Sequence, residues 1–367
     1  MRTRLLRVEL LEDRWLPAQA TAYAVTDLVS DQANAAKVQD PNLVNGWGIA
    51  VGPNTNFWVS SNGKDSSVLF SGDVGGHSLQ IQPLVVSLPG GEPTGQLFNR
   101  TSGFRVSVNG ASQAALFIAA SESGHITGWA PGPGTPVATS AQDAAVVPDA
   151  VFKGITLVHN SRGNFLLAAD FHNNRIDIFD SNFHLSPLSG HYFVDRHIPK
   201  GYAPFNVQMI HSRVYVTYAK QDADAHDDVK GAGHGFIDVF NTSGHLMQRF
   251  ASRGPLNSPW GLALAPKSFG RFAGDLLVGN FGDGQINAYD LHGHFKGTLS
   301  DASGQPIVID GLWGLAVGNG KTAGSKSALY FAAGPQDESH GLFGKVVVTA
   351  SHHPNPPSPS PMGGNGY

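Results

Sequence analysis

A unit of roughly 50 residues recurs six times along this chain, and this repeat constrains the fold more than any single motif does. Its clearest marker is Trp-Gly-aliphatic-Ala, which occurs at Trp47–Ala50, Trp260–Ala263 and Trp313–Ala316. In the fifth unit the marker at Trp260 is followed by a loop and by the apolar run "LLVGN". A glycine turn, "QINAYD", a second glycine turn and "HFKGTL" come next. The same order follows six anchor positions spaced 47, 59, 52, 55 and 53 residues apart: Gly48, Gly95, Gly154, Asn206, Gly261 and Gly314.

The apolar runs within each unit are short and separated by turn residues, which indicates strands rather than helices. The 45 glycines and 23 prolines fit a chain with many turns. Six four-stranded units without helical periodicity predict an all-β, six-bladed β-propeller. A β-sandwich or jelly roll would not need one strand order six times, and a parallel β-helix has much shorter repeats.

The ends of the repeat region predict how the ring closes. The sixth unit has only three strands, and the alternating segment Ala22–Ser30 precedes the first anchor. This segment would supply the missing outer strand, so that no open seam remains between the first and last blades. We therefore expect a single domain over 22–350, preceded by a leader or export segment at 1–21 and followed by a disordered Pro/Ser/Gly-rich tail at 351–367.

The leader and the overall composition limit the location and the partners. The first 20 residues have a basic start and end in "AQA", and they resemble the "LExR…PA" leader of some exported bacterial proteins. The alternative is an amphipathic helix or disordered arm. We therefore expect the protein to be exported, and we expect it to be a monomer.

The net charge of the chain is −4, without a basic cluster beyond the N-terminus, which argues against binding of nucleic acid. No apolar run is long enough to span a membrane. Cysteine is absent, which excludes disulfides and thiolate chemistry.

The repeat, read as "PxG(I/L)A…LLVxN…GxI-x-A/V-F/Y-D", resembles NHL-type propellers. The stretches "NLVNGWG", "GYAPFNVQ", "YVTYAKQDAD", "NFGDGQINAYD" and "GPQDESHGLFG" further resemble a family of uncharacterised bacterial proteins that are predicted to be exported six-bladed propellers. The similarity covers about residues 24–350. One departure is Gly46, where Pro259 stands in the fifth unit and the family usually has proline. The resemblance implies an NHL/TolB-like fold but no established activity.

In an NHL-like blade the first strand lines the central channel, so the loop entering it and the loop joining strands two and three emerge on one face. The wider set of polar residues in these loops includes Glu338, and the fourth-blade insert also carries Asp227. Our candidates for a ligand-binding face are Asn45, Glu92, Glu122, Lys153, Asp170, His172, Tyr202, Lys220, Asn280, Asp283, Asp337 and His340. The alternative is that such residues serve the turns, where Asp and Asn hydrogen-bond their own backbone.

Two sets of residues could hold Ca²⁺ or another divalent metal. One set combines residues of different blades: Glu92, Glu122, Asp170 and Asn280. The other lies in the long fourth-blade insert "KQDADAHDDVKGAGHG": Asp222, Asp224, His226 and Asp228. This insert lacks the glycine and the bidentate glutamate of an EF-hand loop, so a solvated acidic loop or lid is the alternative.

The sequence contains no nucleophile elbow, no H-E-x-x-H motif and no phosphate-binding loop. We therefore expect a non-enzymatic module that binds a protein, a glycan or a small molecule at the polar face. The alternative is a metal-dependent hydrolase of lactonase type, with the ion as Lewis acid in the central channel. A purely structural role is the third hypothesis. The marker tryptophans are expected to be core residues.

Overall fold

The computed structural model describes residues 21–134 and 136–349. The predicted leader, apart from Thr21, and the predicted tail lie outside the described residues. Within the described ranges the chain forms six mainly antiparallel sheets that are the propeller blades, and one small two-stranded hairpin sheet. The inner strand of each blade contacts the inner strands of the blades on either side, and the sixth contacts the first. The predicted six-bladed β-propeller is confirmed.

The first two blades are four-stranded, and the second carries an additional hairpin. Blade 1 consists of β3 (Gly46–Val51), β4 (Phe57–Ser61), β5 (Ser66–Ser71) and β6 (Gln80–Ser87). Blade 2 consists of β7 (Pro93–Phe98), β10 (Phe117–Ser121), β11 (His125–Trp129) and β12 (Gln142–Val146), and its hairpin is β8 (Arg105–Val108) with β9 (Ala111–Ala114).

Blade 3 has three strands, which differs from the predicted four: β13 (Phe152–Asn160), β14 (Gly163–Asp170) and β15 (Arg175–Phe179). The segment after β15 contains Pro187, which has no N–H to donate to a ladder. This segment still covers the edge of β15, because Ser186 donates its N–H to the Ile178 carbonyl (2.7 Å) and the Ser189 hydroxyl accepts from the Ile178 N–H (2.9 Å).

Blades 4 and 5 again have four strands each. Blade 4 is β16 (Tyr202–Ile210), β17 (Arg213–Lys220), β18 (Phe236–Asn241) and β19 (Leu246–Ser252); blade 5 is β20 (Pro259–Leu264), β21 (Leu276–Asn280), β22 (Ile286–Tyr289) and β23 (Phe295–Thr298). Two short 3₁₀ helices, Asn62–Lys64 and Gly270–Phe272, lie in the part of the chain that the structure describes. No helix in the described ranges has the length and apolarity needed to cross a bilayer.

Blade 6 closes the ring as predicted. It contains β24 (Leu312–Val317), β25 (Leu329–Ala333) and β26 (Leu342–Thr349) from the C-terminal end, and β1 (Ala22–Ser30) from the N-terminal end. β1 pairs antiparallel with β26 from Ala22 opposite Thr349 to Ser30 opposite Leu342, and the short strand β2 (Val38–Gln39) adds a parallel fifth strand. Because the last blade is built from both ends of the chain, opening the ring requires breaking a full ladder.

Each inner strand has a register irregularity near its start, at the anchor residue or immediately before it. The residues preceding the six anchors are Trp47, Thr94, Lys153, Phe205, Trp260 and Trp313. The anchor itself packs directly against the next blade: a Cβ on Gly48 would lie 2.5 Å from the Thr94 carbonyl oxygen, and one on Gly314 would lie 2.4 Å from that of Trp47. This close approach explains why the marker requires glycine.

Apolar clusters fill the space between every pair of neighbouring blades, and a seventh cluster lies on the axis. The core is therefore distributed around the ring. The axial cluster closes the channel beneath the loops that enter the inner strands, so any site on that face has this cluster as its floor.

Candidate functional site

Four aromatic side chains from blades 1, 5 and 6 close the central channel near the face where the entry loops lie. Trp47 stacks on Trp313 with ring centroids 3.7 Å apart, and Phe281 stacks on the Trp313 ring at 3.8 Å. Trp260 packs edge-on against Trp313 at 5.9 Å. All four are nearly inaccessible to solvent, so the marker tryptophans are core residues as predicted.

Lys153 occupies in blade 3 the position that tryptophan holds in blades 1, 5 and 6. Its side chain is 1% exposed, and its ammonium group contacts the Glu122 carboxylate and lies 3.1 Å from Asp227 Oδ1. Burial alone would lower the pKa of Lys153, but the two carboxylates outweigh burial and raise that pKa. The ammonium also lies 5.4 Å from the centroid of the Trp47 ring, where a cation is attracted to the π face. A permanent positive charge is therefore fixed on the aromatic floor.

A chain of side-chain hydrogen bonds extends from Lys153 to the last blade. Glu122 Oε2 accepts from Asn62 Nδ2 (3.0 Å), and Asn62 Oδ1 accepts from Asn45 Nδ2 (3.2 Å). Asn45 Nδ2 also donates to Glu338 Oε2 (2.8 Å). The network thus joins blades 1, 2, 3 and 6 across the channel mouth, and the fourth-blade insert enters it through Asp227.

A strained turn delivers Glu338 to this network. Gln336, Asp337 and Glu338 have φ values of 57°, 50° and 63°, so three consecutive non-glycine residues adopt the left-handed conformation. The turn is held by a 2.8 Å bond from the Gln336 N–H to Asp310 and a 3.1 Å bond from the Glu338 N–H to the Gly334 carbonyl. Each such residue costs on the order of 1 kcal/mol or more, and strain of this kind concentrates at functional sites.

Glu338 titrates near neutrality. Burial, reinforced by the negative charge of Glu122, raises its pKa to about 7, although Lys153 and the Asn45 hydrogen bond act in the opposite direction. Glu338 therefore carries a partial proton at pH 7 and gains a full charge when a cation approaches.

A cavity of about 250 Å³ opens beside this network. Phe281 and Trp313 line its apolar part, and Lys230 places its ammonium 4.4 Å from the centroid of the Phe281 ring. Five carboxyl groups line the same cavity: Asp227, Asp228, Asp310, Asp337 and Glu338. Because one lysine faces five carboxyls, the cavity attracts positive charge.

Four of the predicted site residues meet at this mouth: Asn45, Glu122, Lys153 and Asp337. Of the other charged candidates, Glu92 is exposed with φ 48°, and its N–H bonds Asp65. His172 is exposed, and Lys220 ends β17 without a side-chain hydrogen bond among the described residues.

The remaining candidates serve their own loops or the core. Asp170 is fully buried and accepts hydrogen bonds from the N–H groups of Val151 and Asn173. Asn280 bonds Asp283 and the Pro255 carbonyl (2.8 Å). Tyr202 packs in the apolar cluster between blades 3 and 4, and His340 pairs with Asp31 (2.8 Å).

The structure does not bring the residues of either predicted metal site together as a set. Of the first set, only Glu122 lies in a group of potential ligands among the described residues, together with His226 and Asp227, whose ligand atoms lie within 4.8 Å of one another. In the insert, the Asp222 carboxylate accepts from the His226 N–H (2.9 Å), Asp224 is exposed, and Asp228 lines the acidic cavity. The Lys153 ammonium already contacts two members of the Glu122 group, so it takes the place that a metal ion would need.

Sequence reasoning missed Lys230 and the aromatic lining by Phe281 and Trp313. Lys230 lies in an insert whose path over the floor is set by tertiary contacts, such as the 2.7 Å bond from the Gly231 N–H to Asn257. The available signal was a lysine that directly follows the four aspartates of this insert.

The fold and the mouth together define a six-bladed β-propeller with an acidic, aromatic-floored cavity on one face. No family model matches the chain. It is 34% identical over 334 residues to the uncharacterized protein R648 of Acanthamoeba polyphaga mimivirus, covering 89% of this chain and 80% of R648. It is also 34% identical over 345 residues to protein L690 of the same virus, covering 90% of this chain and 87% of L690. The chain belongs to the family of these proteins.

These relatives are viral, so they do not support the bacterial source and the export that the sequence resemblance implied. Among solved structures, a Bacteroides thetaiotaomicron protein of unknown function superposes with a TM-score of 0.53 at 11% identity, over 90% of this chain and 77% of that one. This likeness supports the propeller fold alone.

Proposed function

We propose that this protein is a binding module that recognises a positively charged group, such as an ammonium on a partner protein or a small ligand, at the acidic mouth. The observation that carries the proposal is the cavity beside Glu338, with five carboxyls, one lysine and two aromatic rings. Carboxylates supply charge, and an aromatic surface attracts a desolvated cation.

The network around the cavity supports binding rather than turnover. Its carboxyl groups are paired with amides or with Lys153, which fixes their positions before a ligand arrives. Preorganisation of this kind lowers the cost of binding.

The test uses two probes that differ by one ammonium group: N-acetyl-lysine amide and N-acetyl-norleucine amide. Nuclear magnetic resonance of the full chain should show saturable shifts of the Trp313 indole signal with the lysine probe and much weaker shifts with norleucine. Equal responses to both probes would contradict recognition of charge.

A metal-dependent hydrolase is the second candidate, and the Glu122, His226 and Asp227 group favours it. Those residues would hold a divalent ion, which could act as a Lewis acid. The Lys153 ammonium competes for the same oxygens, and for this reason we favour binding. Metal analysis of the purified protein, and a lactone and ester panel with and without chelator, separate the two functions: chelator-sensitive turnover would overturn the binding proposal.

Export is also part of the proposal, based on the resemblance of residues 1–21 to exported leaders. Expression of the full sequence followed by fractionation and N-terminal sequencing tests it. A processed chain outside the cytoplasm supports export, and an intact Met1 in the cytoplasm contradicts it.

A further inference from the structure

The two ends of the propeller carry opposite charge. Connections between second and third strands, which surround the acidic mouth, contain nine acidic residues and two basic ones: Asp65, Glu122, Asp222, Asp224, Asp227, Asp228, Asp283, Asp337 and Glu338, with Lys64 and Lys230. Connections between first and second strands, at the other end of each blade, contain seven basic residues: Arg100, Arg105, Arg162, Lys267, Arg271, Lys321 and Lys326. Asp275 is the one acidic residue in those connections, and the third-to-fourth-strand turns at the same end add Asp73 and Asp290 but no Lys or Arg, so this end keeps an excess of basic residues. The second end is therefore suited to anions.

A concave surface lies at this basic end. A cavity of about 210 Å³ runs along the inner strands inside the channel and reaches Trp260 at the aromatic floor. A second cavity, of about 560 Å³, lies at the connections of blades 2 to 4. Their linings share Leu97, Phe98, Arg100, Thr156 and Met209, so the two form one depression that enters the channel from the basic end.

The charge in this depression is not neutralised. Arg100 is exposed and lies in both linings, and it forms no ion pair with any carboxylate of residues 21–134 and 136–349. Neither lining contains an Asp or Glu among those residues. Leu97, Phe98 and Met209 beside Arg100 give the depression an apolar wall. An arginine next to apolar side chains in a concave site matches a ligand with an acidic head and an apolar body.

We propose that this depression is a second binding site, which takes an amphipathic monocarboxylate. The carboxylate accepts paired hydrogen bonds from the Arg100 guanidinium, and the apolar body packs against Leu97, Phe98 and Met209. The site does not depend on the acidic mouth, because the stacked rings of Trp47, Trp313 and Phe281 separate the two. Either site can exist without the other.

The test is calorimetric titration of the full chain with octanoate and with octanol, which has the same chain length but no charge. We expect saturable octanoate binding that is at least about tenfold tighter than octanol binding. Arg100→Gln should weaken octanoate about tenfold, equivalent to about 1.4 kcal/mol, without changing octanol. Arg105→Gln is the matched control, because Arg105 follows in the same connection but lies outside both linings and bonds Ser112.

Non-saturable octanoate binding, equal affinity for the two probes, or equal losses in the two arginine variants would each overturn the proposal. Arg100→Glu is a second test variant. Reversing the charge at this exposed position should abolish octanoate binding, while the melting temperature stays within a few degrees of that of the native protein.

Discussion

Asn45 of the first blade donates a 2.8 Å hydrogen bond from Nδ2 to Oε2 of Glu338 in the last blade. The two residues are 293 positions apart in sequence, and the bond exists only because the ring closes. Both residues have positive φ, so both loops adopt a left-handed conformation in order to make it. The contact therefore couples ring closure to the chemistry of the mouth.

Removing this hydrogen bond should raise the pKa of Glu338. We predict that Asn45→Gly moves it above about 7, because the Asn45 amide stabilises the ionised carboxyl. Glycine suits the left-handed backbone, so the effect comes from the side chain. Carbon-13 titration of the Glu338 carboxyl measures it. Asn34→Gly is the control, since Asn34 is an exposed left-handed asparagine that does not line the acidic cavity. An unchanged Glu338 titration in Asn45→Gly would contradict the assignment.

The Lys153 ammonium acts as the resident cation of the mouth, so its removal should create a metal site. We predict that Lys153→Met destabilises the protein by about 3–5 kcal/mol, because the Glu122 and Asp227 carboxylates lose their buried partner. Added Mn²⁺ should restore part of this stability in the variant and have little effect on the native protein. Thermal denaturation with and without Mn²⁺ measures both effects. Lys64→Met, an exposed lysine on the same face, should show neither.

Glu92 should behave as a turn residue. It is exposed with φ 48°, directly before β7, and its side chain has no hydrogen bond to a described residue. We predict that Glu92→Gly stabilises the protein by up to about 1 kcal/mol and that Glu92→Val destabilises it, since a β-branched residue is strained at this φ. Denaturant unfolding measures the difference. Loss of lysine-probe binding in Glu92→Gly would instead give Glu92 a role in the ligand site.

The N-terminal strand should contribute fully to the stability of the ring. Val29 in β1 is completely buried between blades 6 and 1, whereas Val25 in the same strand is 38% exposed. We predict that Val29→Asp costs about 3 kcal/mol or more because it buries a carboxyl without a partner, and that Val25→Asp has a small effect. Similar midpoints for the two variants in urea would argue against closure through β1.

The parts of this structure that sequence could predict are those determined by local or repeated constraints. Each anchor glycine meets the backbone of the next blade, so the same residue recurs wherever that contact recurs, as at Gly48 and Gly314. The closure of the ring could be predicted as well, because the last unit has only three strands and the N-terminal strand β1 has no unit of its own.

The site itself depends on contacts that no repeat encodes. Burial under loops of unequal length raises the pKa of Glu338, and the charge of Glu122, more than 200 positions away, raises it further. Lys153 takes the position that tryptophan holds in blades 1, 5 and 6, and its charge is matched by Glu122 of another blade and by Asp227 of the insert. Blade 3 lacks its fourth strand for a local reason, the segment around Pro187, which composition alone did not reveal.

Proton-linked binding at Glu338 is the most direct test of the central claim that the acidic mouth recognises a cation. Because a cation binds the ionised carboxyl, and the pKa of Glu338 is raised to about 7, affinity for N-acetyl-lysine amide should rise about tenfold from pH 6 to pH 8. Glu338→Gln should weaken binding at pH 8 and remove this pH dependence. Asp224→Asn, a carboxyl of the same face outside the cavity, should match the native protein. Calorimetric titration of the three proteins at both pH values gives the answer: equal native affinity at pH 6 and pH 8, or the same loss in both variants, would contradict the account.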